Sequence, residues 1–65
     1  MTLTITVEGM SCEGCEDAVE TALGDVAGVT EARADRERAV AEVEGDADPA
    51  DLVAAVEDAG YTASA

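Results

Sequence analysis

Hydrophobic and polar residues alternate strictly at the start of the chain, over Thr2–Glu8. Leu3, Ile5 and Val7 fall on one face of an extended segment, and the polar residues between them fall on the other. A period of two in residues that favour strands is typical of a strand buried on one face. The pattern therefore predicts a half-buried first strand, which Gly9 ends.

Two later segments carry apolar residues at spacings of three and four, the period of a helix with one buried face. The first of these helices is predicted to bury Val19, Ala22, Leu23 and Val26. The second starts with Asp48 as a good N-cap and Pro49 at the first helical position. It ends at Gly60, where a left-handed residue commonly closes a helix. Its predicted buried stripe comprises Leu52, Val53, Val56 and Ala59.

Weaker strand patterns complete the order of elements. They cover Val29–Asp35, residues 39–44 and residues 61–63, with a polar turn over residues 35–38. The predicted inward positions in the middle two strands are Ala32, Ala34, Ala41 and Val43. The resulting order, βαββαβ, is that of the ferredoxin-like split βαβ arrangement. We therefore expect an α+β fold, with a four-stranded antiparallel sheet and two helices on one face, in which residues 1–65 form one domain.

The small size of the protein limits what it can do. A chain of 65 residues is near the lower limit at which one hydrophobic core supports folding. Its apolar residues are mainly alanine and valine, and Tyr61 is the only aromatic residue. So little protein leaves little room for an active site that encloses a substrate. We expect a binding protein rather than an enzyme, with modest stability unless metal or salt adds to it.

The charge is strongly acidic, with 16 acidic residues, three arginines, no lysine and a formal net charge of −13. This balance argues against nucleic acid and anionic membranes as partners, because both require a basic surface. The acidic residues are spread along the chain, which indicates adaptation to a salty interior. Salt at 1 M reduces the screening length to about 3 Å and would remove most of the self-repulsion. The alternative is an ordinary acidic domain.

The chain carries neither an export signal nor an apolar run of the roughly 18 residues that a membrane helix needs. We therefore expect a cytoplasmic protein without membrane insertion, whose two cysteines stay reduced. The chain begins with methionine and contains no linker, so we expect a stand-alone protein rather than a domain excised from a larger one.

Both cysteines lie in residues 9–15 (GMSCEGC), which we call the cysteine loop, and the chain has no histidine. Thiolate sulfur is a soft ligand that selects Cu(I), Zn(II) and similar ions. Two sulfurs are too few for a closed structural zinc site, which needs four ligands, but they can satisfy Cu(I). Because the loop precedes the first helix, Cys15 should lie in the opening turn and Cys12 just before it. Backbone N–H groups and the helix dipole favour thiolate there, whereas neighbouring carboxylates oppose it.

The cysteine loop resembles the Gly-Met-x-Cys-x-x-Cys loop of the heavy-metal-associated domain family. Further similarity lies in the spacing of Val19, Leu23 and residues 26–29, and in the segment from Asp51 to the Ala-Gly-Tyr that ends at Tyr61. The resemblance covers essentially the whole chain. The family includes small cytosolic copper chaperones and the N-terminal metal-binding domains of copper-transporting P-type ATPases.

The resemblance implies that Cys12 and Cys15 bind Cu(I) and pass it to the metal-binding domain of a copper-transporting P-type ATPase by ligand exchange. It places Met10 inside the protein, where it supports the loop and is not a ligand. It also places Tyr61 near the loop, a role compatible with capping the core. Gly14 is expected to let the backbone bend closely between the sulfurs. We expect the more exposed Cys12 to meet the partner first and Cys15 to release the metal later.

Other interpretations stay open. Zn(II) also binds thiolates and could recruit Glu13 or Asp17, which would give a zinc or heavy-metal sensor that passes nothing on. A Cys-x-x-Cys at a helix N-terminus is also the arrangement of thiol–disulfide exchange proteins. We expect a monomer without metal, and a homodimer bridged by metal through two cysteine pairs is the alternative for the loaded protein.

The arginines depart from the charge pattern that is common in the family, where a basic surface on one partner docks against an acidic surface on the other. Arg33, Arg36 and Arg38 cluster around the second turn, and we expect them to lie away from the cysteine loop. Their predicted roles are solubility and cross-strand pairing. Docking would then depend on shape, small apolar patches and the shared metal.

Overall fold

The structure, a computed structural model, describes residues 2–65 and has the predicted order of elements. Met1, the first residue of the predicted domain, lies outside the described residues. The strands are β1 (Thr2–Glu8), β2 (Val29–Asp35), β3 (Val40–Gly45) and β4 (Thr62–Ser64). The helices are α1 (Glu13–Gly24) and α2 (Pro49–Asp58). Strands β3 and β4 are displaced by one residue from their predicted positions, and α1 ends before Val26.

The four strands form one antiparallel sheet in the order β2-β3-β1-β4. In the central pair, Ile5 lies opposite Ala41 and Leu3 opposite Val43. This register aligns the apolar faces of β1 and β3, because a shift of one residue would turn every side chain to the opposite face. With both helices on that face, the architecture is the predicted ferredoxin-like fold.

The core lies between the sheet and the two helices, and the residues predicted to be inward supply most of it. Ala59, predicted to be buried, is exposed because α2 ends at Asp58 and Ala59 is its C-cap. Val26 lies beyond the end of α1 but packs against the core. The buried core residues are Ile5, Val7, Val19, Leu23, Ala41, Val43, Leu52, Val56 and Ala63.

The two helices begin differently, and the difference affects the site. At the start of α2, the Asp48 side chain accepts a hydrogen bond from the Ala50 N–H at 3.0 Å, so the predicted cap is confirmed. The predicted left-handed residue after α2 is also confirmed, since Gly60 has φ +101°. The N-cap of α1 is Cys12, and no side chain caps that helix. Among residues 2–65, neither helix has the length and apolar character needed to cross a membrane.

Candidate metal centre

The two cysteines lie where the sequence predicts, with Cys12 immediately before α1 and Cys15 in its first turn. Their sulfurs are 3.6 Å apart. Cys12 is exposed, Cys15 is half-buried, and neither forms a disulfide. Two thiolates that bind one ion at about 2.3 Å each can be at most about 4.6 Å apart. The pair can therefore take one metal ion with little movement of the chain.

Residues of the loop itself, of the core and of α1 surround the two cysteines. Gly9 has φ +98°, and a Cβ at that position would lie 3.6 Å from a ring carbon of Tyr61. Tyr61 is half-buried and, like Met10, packs against the core, so both residues support the loop from inside. Gly14 lies within α1. The helical turn itself brings the sulfurs together, and a Cβ on Gly14 would lie 3.7 Å from the Cys12 sulfur.

Hydrogen bonds lower the pKa of Cys15 to about 6, and the Tyr61 hydroxyl is the largest cause. The Ser11 backbone and hydroxyl, and then Cys12, contribute further, and the Ser11 hydroxyl oxygen lies 3.7 Å from the Cys15 sulfur. The same bond raises the pKa of Tyr61 above its usual value. Cys15 is therefore mainly thiolate at neutral pH, the form that binds metal.

Sequence reasoning anticipated a favoured thiolate but not these donors. It assigns the effect to the N-terminus of α1, and it places Tyr61 near the loop, with capping of the core as a compatible role, but predicts no effect of Tyr61 on the Cys15 pKa. Ser11 was not singled out, although a hydroxyl directly before the first cysteine, and four residues before the second, is a visible signal in the sequence.

Replacing Tyr61 with phenylalanine tests the hydroxyl while keeping the ring. In the wild type, Cys15 should be about nine-tenths thiolate at pH 7, because its pKa is about 6 and each pH unit is a factor of ten. In Tyr61→Phe the pKa of Cys15 should rise. As the pH is lowered, protons should therefore begin to compete with metal at a higher pH than in the wild type. The cysteine 13Cβ chemical shifts of the reduced, metal-free protein, followed by NMR from pH 4 to 10, report each thiol separately.

Ser11→Ala serves as the graded control for this titration. It removes the smaller side-chain bond and keeps the Ser11 backbone bond, so its Cys15 midpoint should lie between those of the wild type and Tyr61→Phe. A Tyr61→Phe midpoint equal to that of the wild type would show that the hydroxyl does not act on Cys15.

The arginine-containing turn between β2 and β3, residues 36–39, is at the same end of the sheet as the cysteine loop. Antiparallel pairing places Thr6, near the end of β1, opposite Val40 at the start of β3. The Val7 N–H then donates to the Ala39 carbonyl oxygen at 2.9 Å. The expectation that the arginines lie away from the loop is therefore wrong for Arg36 and Arg38, which both belong to this turn. Arg36 also pairs with Glu16 of α1.

The predicted cross-strand pairing of the arginines holds in the register of Arg33, which lies opposite Glu42 of β3, but the ion pairs of the arginines are made elsewhere. Arg33 pairs at 3.0 Å with Glu31 of its own strand, and the Arg33 side chain is 76% exposed. Arg36 pairs at 3.1 Å with Glu16 of α1. Exposed pairs of the first kind contribute little to stability. The second pair joins the turn to α1 at Glu16, the residue directly after Cys15.

No third ligand accompanies the two sulfurs in the described part of the chain. Residues 2–65 contain no group of three His, Cys, Asp or Glu side chains arranged to hold a metal ion together. Glu13 and Asp17, the residues considered for completing a zinc shell, are thus not gathered around the sulfurs. The candidate centre therefore comprises two neighbouring sulfurs, one of them on an exposed residue.

Sequence comparison with known proteins identifies the family of this chain. The sequence profile of the heavy-metal-associated domain matches residues 4–62. The chain belongs to the heavy-metal-associated domain family. Among its relatives in this family, the copper chaperone CopZ of Bacillus subtilis strain 168 is 43% identical over 61 residues, which cover 89% of this chain and 88% of CopZ.

Solved structures of the heavy-metal-associated family have the same fold. A CopZ metallochaperone superimposes with a TM-score of 0.93 at 36% identity, covering 98% of this chain and 100% of that one. A copper binding domain from HMA7, a P-type ATPase, also gives 0.93 at 33% identity, covering 97% of this chain and 89% of that one. A metallochaperone and an ATPase domain are thus both structural neighbours of this chain.

Proposed function

We propose that this protein binds Cu(I) through the sulfurs of Cys12 and Cys15 and delivers it to the metal-binding domain of a copper-transporting P-type ATPase. The observation that carries the proposal is the open pair of sulfurs, 3.6 Å apart at the start of α1, with Cys15 held as thiolate. Soft thiolates in a low-coordinate site favour Cu(I) over hard ions. The similarity to CopZ and to an ATPase copper binding domain supports the same assignment.

Transfer follows from the open side of the site. A thiolate of the partner forms a third sulfur–copper bond, giving a three-coordinate intermediate, and one sulfur–copper bond to this chain then breaks. Copper stays Cu(I) throughout, so the exchange needs neither an oxidant nor a reductant. The proton of the incoming thiol goes to solvent, and the released thiolate can take one up.

The different exposure of the two cysteines supports an order for the exchange. Cys12 is exposed and precedes the helix, so a partner sulfur reaches its side of the metal first. Cys15 is half-buried, and the Ser11 hydroxyl lies 3.7 Å from its sulfur, so this sulfur is held by the chain and is the later one to release. Met10 packs against the core and supports the loop from that side.

A competition titration tests the choice of metal. The reduced protein is titrated with Cu(I) and, separately, with Zn(II) against calibrated chelators at high salt. Cu(I) should bind with the higher affinity and with one ion per chain. Zn(II) preference, after correction for the availability of each ion, would contradict the copper assignment and favour the zinc-sensor alternative.

A second measurement tests delivery. The Cu(I)-loaded protein is mixed with the metal-free N-terminal domain of a copper-transporting P-type ATPase, and copper is quantified in each protein after separation. Copper should equilibrate between the two within minutes, faster than it escapes to a chelator of similar affinity.

Size-exclusion chromatography of the loaded protein alone distinguishes a monomer from a metal-bridged homodimer.

A further inference from the structure

The turn formed by residues 36–39 contacts the chain on both sides of the cysteine loop. Before the loop, the Val7 N–H donates to the Ala39 carbonyl oxygen at 2.9 Å. After the loop, the Arg36 N–H donates to a Glu16 carboxylate oxygen at 2.7 Å. Both flanks of the metal-binding segment are therefore bonded to one four-residue turn.

The contact with Glu16 is the stronger of the two because it is charge-assisted and uses both carboxylate oxygens. One oxygen accepts from the Arg36 N–H, and the other accepts from the Arg36 guanidinium at 3.1 Å. Both side chains are partly shielded from water, at 21% exposure for Glu16 and 34% for Arg36. Glu16 immediately follows Cys15, so this contact acts on the helical turn that carries the second sulfur.

The turn itself is held in one conformation. The Asp35 carboxylate accepts hydrogen bonds from the Glu37 N–H at 3.0 Å and the Arg38 N–H at 3.2 Å. Ala39 has φ +57°, a left-handed conformation that a non-glycine residue adopts only when its surroundings require it. A turn constrained in this way is a firm support for a neighbouring segment.

The start of α1 needs such support because no side chain caps it. The Cys15 and Glu16 N–H groups bond only to the Cys12 carbonyl oxygen, at 3.0 and 3.3 Å. An uncapped helical turn frays readily. Fraying here would change the separation of the two sulfurs.

We propose that residues 36–39 brace the cysteine loop and that Glu16 is a positioning residue, which fixes the first turn of α1 and thereby the spacing of Cys12 and Cys15. The inference deepens the proposed function, on which its metal-dependent part rests. Glu16 does not contact the metal in this proposal and acts only through the turn that carries Cys15. The contacts of the brace are made between residues of the chain and do not involve a metal ion.

The matched comparison is between Glu16→Ala and Glu20→Ala. Glu20 lies one turn further along α1 and accepts a hydrogen bond from the Ala34 N–H of β2 at 2.9 Å, so it makes the same kind of contact away from the sulfurs. In the metal-free protein, amide hydrogen exchange at Cys15 and Glu16 should accelerate by about tenfold in Glu16→Ala and stay near wild type in Glu20→Ala. Cu(I) affinity, measured against a chelator, should fall about tenfold only in Glu16→Ala.

Two further variants keep the test decisive if Glu16→Ala folds poorly. Glu16→Gln retains an oxygen that can accept the Arg36 N–H and should stay within about threefold of wild-type affinity. Glu16→Asp keeps the charge but shortens the reach, and it should behave as Glu16→Ala does. Equal effects of Glu16→Ala and Glu20→Ala on exchange and affinity would overturn the positioning role. Failure of the wild type to bind Cu(I) would instead overturn the proposed function. The amide exchange rates of the metal-free protein would still test whether Glu16 fixes the first turn of α1.

Discussion

Serine in place of either Cys12 or Cys15 is expected to weaken Cu(I) binding by more than about 100-fold. Loss of a residue that only contacts a metal ligand costs up to about 100-fold, and loss of a ligand itself should cost more. A serine hydroxyl stays protonated at neutral pH and is a hard oxygen ligand, whereas Cu(I) prefers soft thiolate. No further His or Cys is available among residues 2–65 to replace the lost sulfur. Competition with a Cu(I) chelator under reducing, oxygen-free conditions measures the effect.

Ser11→Ala is the control for these variants because it changes the same loop and keeps both sulfurs. Its Cu(I) affinity should fall far less than in the cysteine variants, because it raises the pKa of Cys15 without removing a sulfur. A single-cysteine variant with wild-type affinity would contradict the two-sulfur site and would point to the Met10 thioether as a ligand. The order of exchange is tested in the same variants, since faster copper transfer from Cys15→Ser than from Cys12→Ser would count against Cys12 as the first contact.

Local patterns account for the features that the sequence predicts well. The alternation in β1 and the Asp48–Pro49 start of α2 each depend on neighbouring residues, so they can be recognised without knowing the fold. The cysteine pair is also local, because three residues of helix bring the sulfurs of Cys12 and Cys15 to 3.6 Å. The proximity of the two sulfurs could therefore be predicted from one short segment.

Contacts between distant segments account for what sequence reasoning missed. The position of the turn at residues 36–39 follows from the antiparallel register of β1 and β3, which no local pattern specifies. The effect of the Tyr61 hydroxyl on the Cys15 pKa and the contact between Glu16 and Arg36 also join segments that are far apart in the sequence. Nothing in the sequence around Glu16 indicates its contact with Arg36, which forms only because the end of β2 lies beside α1.

The small core makes the protein sensitive to single truncations. Leu52→Ala is expected to lower the free energy of unfolding by about 3–5 kcal/mol, since Leu52 is fully buried and a cavity would remain. A domain of this size has about 3–5 kcal/mol of stability from its core, so the variant should be largely unfolded without metal. Circular dichroism at 222 nm during heating should show a midpoint lowered by at least about 10 °C, or no transition at all.

Leu3→Ala makes the same chemical change at a half-buried position in β1 and serves as the matched control. It should cost only about 1–2 kcal/mol, because the leucine side chain is already partly in water in the folded protein. The contrast reports how far the loss of stability depends on the burial of the leucine side chain. Equal losses for Leu3→Ala and Leu52→Ala would contradict a core centred between the sheet and α2. A stable Leu52→Ala would mean that this core relaxes around the cavity. The fold that carries the cysteine loop would then depend less on core packing than on hydrogen bonds.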